Sequence, residues 1–319
     1  MKGVDDAPRT ALRPMPMTAA SSTNAARPTL PRLPDSQLAP LTTAYAREVA
    51  AKRRSTLVLL AALIVAAGIA SSVAEVDLVK FFTNIDRFTS YIGRLFHLDS
   101  GLPVWRDPAE WFWGWKKWLG LLGDTLLIAY LGTLLGGAAA FFLCFLASAN
   151  LNPNVWSRVL VRRLLEFCRT VPELVFALIF VVAFGLGPLP GVLALAIHST
   201  GALGKLFSEV NENIDMKPVE GVAAAGATWW QTMHLAVVPQ VLSNFASYGL
   251  LRFEINVRGA AVMGFVGAGG IGQDLIESIR KFYYSDVSAV LLLIIATVMI
   301  IDMATERLRH IFIGREART

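Results

Sequence analysis

The stretch FVGAGGIGQ, residues 265–273, sets Gly267, Gly269 and Gly272 in a G-x-G-x-x-G spacing, with Gly270 between the last two. An apolar run over 260–266 precedes it, a helix-compatible stretch over 273–281 follows, and Asp286 lies further on. By pattern this is a dinucleotide-binding fingerprint, in which glycines let the backbone approach a pyrophosphate at a helix N-terminus. That reading needs alternating strands and helices over a hundred or so residues. The other reading makes the glycines a tight turn at the end of a membrane helix. The flanking sequence decides between an α/β fold and an all-α membrane fold.

Working outward, composition favours the membrane. Hydrophobic residues make up 55% of the 319, charged residues 17%, and the mean hydropathy is +0.53. Soluble domains carry about 25% charged residues. The net charge of +5 suggests a basic protein, but where the bases cluster matters more than the sum. Cys144 and Cys168 both fall in apolar runs and read as small buried hydrophobes, not as a disulfide framework.

Apolar runs of crossing length recur along the chain. The first, STLVLLAALIVAAGIASSVA at 55–74, follows Lys52, Arg53 and Arg54, which place the N-terminus in the cytoplasm. Further spans are expected at about 125–148, 164–185, 191–207, 241–266 and 287–303. This gives about six transmembrane helices with both termini cytoplasmic. Residues 1–54, rich in Pro, Ala, Thr and Ser at first, read as a disordered cytoplasmic tail. Residues 75–123 read as an extracytoplasmic Trp-rich segment, whose Trp105, Trp111, Trp113, Trp115 and Trp118 suit a membrane–water interface. Residues 124–313 form the transmembrane domain, and 314–319 a short cytoplasmic tail. In this topology the glycine run falls outside the cell, away from cytosolic dinucleotides.

The long inside loop, 208–240, reads SEVNENIDMKPVEGVAAAGATWWQTMHLAVVPQ. Pro218 is placed to start a helix, with Glu220 in the first turn. EGVAAAGATWW continues as a short Ala-rich helix that Gly226 interrupts or bends, and Pro239 ends the segment as the membrane is re-entered. A compact helix with small residues on one side can dock in a groove.

The spacing of Glu220, Gly226 and Pro239 resembles the cytoplasmic loop of permease subunits of binding-protein-dependent ABC importers. Gly221 and Val222 stand where that pattern has two alanines, Ala236 where it has Ile, and Val238 where it has Leu. LIAYLGTLLG, CRTVPELVFALIFVVAFGLGPLPGVLALAIHSTG, VLSNFASYGLLRFEINVR and GFVGAGGIGQDL add a resemblance to the phosphonate-type family over about 120–313. The resemblance implies a type I importer-like core with an additional N-terminal helix, in a bacterial plasma membrane. It implies a second copy of the chain, two cytoplasmic ATPase subunits that bind ATP and Mg, and an extracytoplasmic solute-binding protein. It implies no cofactor, no covalent chemistry and no nucleic acid for this chain. Glu220, Gly221, Ala224, Gly226, Ala227 and Pro239 would then serve ATPase coupling. The implied solute is phosphonate. Inorganic phosphate or phosphite on the same architecture, or an unrelated solute such as an amino acid, remain alternatives.

Polar residues inside the apolar spans are candidates for the pathway: His198, Asn244, Ser247, Arg252, Glu254, Asn256 and Arg258. Charges at membrane depth should face the bundle interior or water. Glu254 and Arg258 are four apart and can pair, while Arg252 and Asn256 share another edge. These residues serve either as a structural ion pair or as a cationic lining for an anionic solute, because arginine suits phosphoryl oxygens. Arg169 is the expected partner of Glu173. Gly267, Gly269, Gly270 and Gly272 are candidate gate or hinge residues, or else a plain structural turn.

Overall fold

The structure, a computed structural model, describes residues 34–74 and 77–316. Among them no strand forms, and the chain is helical nearly throughout. The dinucleotide reading of the glycine run therefore has no sheet to rest on. Contacts divide the chain into one unit through Phe82 and another from Thr83.

The first unit is dominated by α1, Asp35–Val73. The predicted tail is thus helical from Asp35, and the part before residue 34 lies outside the described residues. The Ala-, Arg- and Lys-rich stretch before residue 55 reads as low complexity, yet these are strong helix formers, so the apolar span extends backward without a break. Leu57, Leu63, Ile64 and Ile69 stand exposed along α1. A helix apolar on every side is one that a bilayer covers. Helix α2, Leu78–Thr83, crosses the boundary between the units.

The second unit opens with α3, Ile85–Leu95, and the one-turn α4, Pro108–Trp111. The bundle then follows: α5 (Trp115–Ala147), α6 (Val155–Thr170), α7 (Glu173–Phe184) and α8 (Pro188–Glu212). Next come α9 (Met216–Ala224), α10 (Trp229–Thr232), α11 (Val238–Met263), α12 (Ile271–Lys281) and α13 (Tyr284–Glu316). Four single helices, α1, α5, α8 and α13, are long and apolar enough to cross a membrane. Two bent pairs, each counted as one broken crossing, bring the number to six.

The third expected span, 164–185, is not one helix. It breaks at Val171–Pro172, and α6 and α7 meet at 86°. Pro172 lacks an N–H and pushes the residue before it into extended backbone, Val171 having ψ 123°. Apolar composition continues across the break, so hydropathy alone hides it. The fifth span also runs further than expected, through α10 and α11 to Val266, and then bends by 47° into α12.

The bundle is organised around α5 and α8, which run parallel. A Cβ at Gly136 would lie 2.6 Å from Ala196 O and 2.7 Å from Ser199 Cβ. The small-xxx-small spacing of Gly132 and Gly136 lets the backbones approach, and such interfaces gain van der Waals packing where lipid supplies no hydrophobic drive. On its other side α8 meets α6 just as closely, and a Cβ at Gly201 would sit 2.6 Å from Leu165 O.

Three of the tryptophans also fasten the chain to itself. Trp111 donates its indole N–H to Ser288 Oγ at 2.9 Å, Trp113 to Asp286 Oδ1 at 2.9 Å, and Trp118 to Asp274 Oδ2 at 2.8 Å. Trp118 is fully buried, and Lys117 pairs with the same Asp274. These rings fasten the start of α5 and the segment before it to α12 and α13. The helix of the bundle begins at Trp115, inside the stretch assigned to the Trp-rich extracytoplasmic segment.

Candidate functional site

Helix α9 starts at Met216, not at Pro218. Asp215 caps it by accepting the Lys217 N–H at 3.0 Å. Pro218 therefore sits within the first turn, and Glu220 in the second. Val219 is the buried side chain of α9, packed with Met233, Ala236 and Val237. With that face turned inward, Glu220, Gly221 and Ala224 are left exposed on the outer one.

The segment is not a continuous helix over 218–230. Gly226 has φ +86°, a left-handed conformation that glycine adopts without steric cost, and it ends α9. Thr228 then caps α10 reciprocally with Gln231. Gly226 is exposed with open space around its Cα, and Ala227 is half-buried. The Trp229 indole donates to Leu151 O at 3.1 Å, joining α10 to the α5–α6 turn. Pro239 is exposed and follows directly on the π turn Met233–Val237, inside a helix that runs on from α10.

Deeper in the bundle the predicted polar residues separate into two groups. In the first, Arg252 Nε donates to Ser199 Oγ at 3.1 Å, and Asn256 Nδ2 donates to the same oxygen at 2.8 Å. Asn256 Nδ2 also reaches Thr133 Oγ1 at 2.8 Å, so α5, α8 and α11 share one knot. Asn256 is 1% exposed, and its Oδ1 has no hydrogen-bond partner. Beside the knot, His198 Nδ1 lies 3.1 Å from Val171 O, at the break between α6 and α7. His198 Nε2 lies 3.7 Å from Glu173 Oε2. The near partner of Glu173 is thus His198, not Arg169, because the 86° bend takes Arg169 onto a different helix axis.

In the second group, Arg258 donates to Glu254 at 2.5 Å, as the spacing predicts, and to Asp302 on α13 at 2.7 Å. Thr305 adds a weak bond to Glu254 at 3.4 Å. Sequence reasoning missed Asp302, Thr133 and the central role of Ser199. For Asp302 a signal was present: an acid near the end of an otherwise apolar span. Asn244 lies apart from both groups, on a cavity at the α9 end, and Ser247 is half-buried on α11 between them.

The glycine run forms the corner between α11 and α12. Gly267, Gly269 and Gly270 all have φ near +80°, so each sits in the left-handed region. A Cβ on Gly267 would strike Leu186, one on Gly270 would lie 2.6 Å from Thr125 Oγ1, and one on Gly272 would strike Ala261 O. Gly187 donates its N–H to Gly267 O at 3.0 Å, interlocking this turn with the α7–α8 turn. The four glycines are packed against protein, not arrayed around a void.

Among the described residues no group of three His, Cys, Asp or Glu could hold a metal ion. The arrangement is one of broken helices and polar crossings, with an exposed helix at one end.

Comparison with known proteins agrees with this architecture. Residues 132–317 match the family described as binding-protein-dependent transport system inner membrane component. The phosphite transport system permease protein PtxC of Stutzerimonas stutzeri is 44% identical over 201 residues, covering 63% of this chain and 73% of that one. The cryptic phosphonate transport system permease protein PhnE2 of Escherichia coli is 50% identical over 122 residues, covering 38% of this chain and all of that one. Among solved structures, the MetNI methionine ABC transporter in inward-facing conformations superposes with TM-score 0.55 at 18% identity, over 65% of this chain and 98% of that one. At that identity the likeness speaks for the fold alone. With an all-α bundle of broken crossings, a family match over more than half the chain and relatives of this similarity, the chain belongs to the binding-protein-dependent transport system inner membrane components, and is a multi-pass permease subunit.

Proposed function

We propose that two copies of this chain form the membrane pathway of an ATP-driven importer of phosphonates in a bacterial plasma membrane. Its chain termini face the cytoplasm. The observation that carries the coupling is the outer face of α9. Glu220, Gly221 and Ala224 offer one acid among small residues, and Gly226 ends the helix in open space. Such a face fits a groove on a cytoplasmic ATPase subunit, which supplies the ATP and Mg chemistry. A solute-binding protein delivers the solute at the other end, beside the Gly267–Gly272 corner.

The substrate class follows from the relatives, one a phosphite and one a phosphonate permease, together with the polar knot. Arg252 presents a guanidinium whose geometry suits two phosphoryl oxygens. Asn256 Oδ1 is a free acceptor for the hydroxyl of a singly protonated phosphonate. Phosphite and inorganic phosphate share this chemistry, and the binding protein selects among them.

The test is ATPase stimulation of the reconstituted complex by binding protein loaded with methylphosphonate, phosphite or phosphate. Stimulation strongest with methylphosphonate is expected, and an equal response to an amino acid would overturn the substrate class. In the same assay Gly226→Asp is expected to abolish uptake while both permease copies remain assembled, because the side chain strains φ +86° and adds charge at the contact. Normal uptake by that variant would remove the coupling role.

A further inference from the structure

Helix α9 is held to the membrane bundle by two kinds of contact. One is packing, through Val219 with Met216 and Val222, with a weak contact from the Asn150 amide to the Met216 sulfur. The other grips the α9 backbone, through the side chain of Gln240. Its Oε1 accepts the backbone N–H of Asp215 at 3.1 Å, and its Nε2 donates to the backbone O of Asp215 at 3.3 Å. The same Nε2 donates to Ala236 O at 2.7 Å. The amide therefore grips both backbone groups of the residue that caps α9, and does so from the first turn of α11.

The position of this clamp is unusual in two respects. It borders a cavity of about 480 Å³, shared with Glu209, Asn244 and Tyr248. On such a wall the Asp215 backbone could bond to water instead, so the clamp adds little net stability. What it adds is direction: two antiparallel bonds fix the orientation of a helix end, which non-directional apolar packing of Met216, Val219 and Val222 does less tightly. It also spans a π-helical turn, Met233–Val237, closed by the Val238 N–H on Met233 O. Single π turns inside α-helices mark places where register can shift, often at functional sites. Without Gln240, a push on α9 would be taken up in that turn. With it, the push reaches α11 beyond the turn.

Helix α11 is the element that carries Arg252 and Asn256. They lie 12 and 16 residues past Gln240, about 18 and 24 Å along a rigid helix. We infer that Gln240 is the positioning residue that delivers displacement of α9 to α11, and so to the polar knot. This rests on the reading of α9 as the ATPase-facing helix.

The experiment compares Gln240→Met and Gln240→Glu with the unsubstituted chain, each assembled with its ATPase and binding protein in proteoliposomes. It reads three quantities: assembled complex, ATPase rate without solute, and methylphosphonate taken up per ATP hydrolysed. Methionine keeps the shape and loses all three hydrogen bonds. Glutamate keeps the acceptor for Asp215 N–H and loses the two donated bonds. The expected result is a fall in uptake per ATP of about tenfold for Gln240→Met and about threefold for Gln240→Glu, roughly a factor of ten per 1.4 kcal/mol of lost coupling. Assembly and solute-free ATPase should stay within about twofold by the same measure. A Gln240→Met ratio equal to the unsubstituted one overturns the clamp alone. Parallel loss of assembly and uptake assigns Gln240 a purely structural role and overturns it too. Uptake by the unsubstituted complex that ignores ATP overturns the importer reading, and the clamp with it.

Discussion

Arg252 and Arg258 stand six residues apart on α11, and the bundle treats them in opposite ways. Arg258 is 45% exposed and still meets two carboxylates, Glu254 on its own helix and Asp302 on α13. Arg252 is half-buried and meets a neutral hydroxyl, with no carboxylate within 4 Å among the described residues. The nearby acid, Glu173, is turned toward His198. A buried charge costs several kcal/mol unless it is paired. Both arginines lie on a helix assigned to the membrane, and only Arg258 is paired with carboxylates. The Arg258 group sets one cation between two carboxylates and holds α11 to α13. The Arg252 group sets its cation on a hydroxyl, beside an Asn256 Oδ1 that no described residue satisfies, at the crossing of three helices.

The comparison can be broken most severely at the glycine that lets the crossing form. Gly136→Leu would drive α5 away from α8 at Ser199, the oxygen that both Arg252 and Asn256 use. Overpacking of this kind costs about 1–3 kcal/mol or more. The expected outcome is loss of folded protein, read as yield and thermal stability of purified chain in detergent. A wild-type melting temperature would mean that the close approach of α5 and α8 is unnecessary.

Next in size is Arg252→Gln. Removing an open charge should leave the fold intact or slightly steadier while uptake of methylphosphonate falls, on the order of tenfold or more if the guanidinium holds the oxyanion. Arg252→Lys should recover only part, since an ammonium lacks the two-pronged geometry. Full uptake by Arg252→Gln, measured with labelled methylphosphonate, would make the knot purely structural.

The smallest effect belongs to the Arg258 group. Arg258→Gln leaves Glu254 and Asp302 facing each other without their cation. It should lower thermal stability more than it lowers uptake. The double variant Arg258→Gln/Glu254→Gln should recover part of the stability, with a coupling energy on the order of 1 kcal/mol for a pair this exposed. Additive losses in the double-mutant cycle would show that the two side chains do not work as a pair.

What could be read in the sequence was local. Glu254 and Arg258 lie one helical turn apart, so their pairing follows from the period alone. Gly226 ends α9 because an Ala-rich helix meets a residue free to take positive φ. The family resemblance likewise rests on spacing within one loop and on short stretches along about 120–313. What could not be read depends on distant segments. Asp302 reaches Arg258 across 44 residues, and Asn256 reaches Thr133 across 123. The break at Pro172 was hidden because apolar residues continue on both sides of it. The fastening role of Trp118 was hidden for a similar reason: an indole suits an interface, and nothing in its own neighbourhood reveals an aspartate 156 residues away.

The glycine corner has a mechanical consequence. The Gly267–Gly272 turn and the α7–α8 turn are bonded through Gly187, and Ala268 is wedged beneath Gly191, where a Cβ would lie 2.8 Å from its carbonyl oxygen. Ile271 is tied in turn to Thr125 on α5 by a 2.9 Å bond from its backbone N–H. Three helix ends are thus keyed together with no slack at the glycines themselves. This end of the bundle behaves as a rigid knuckle. Whatever swings must pivot elsewhere: at the 86° elbow before α7, or at the π turn before α11.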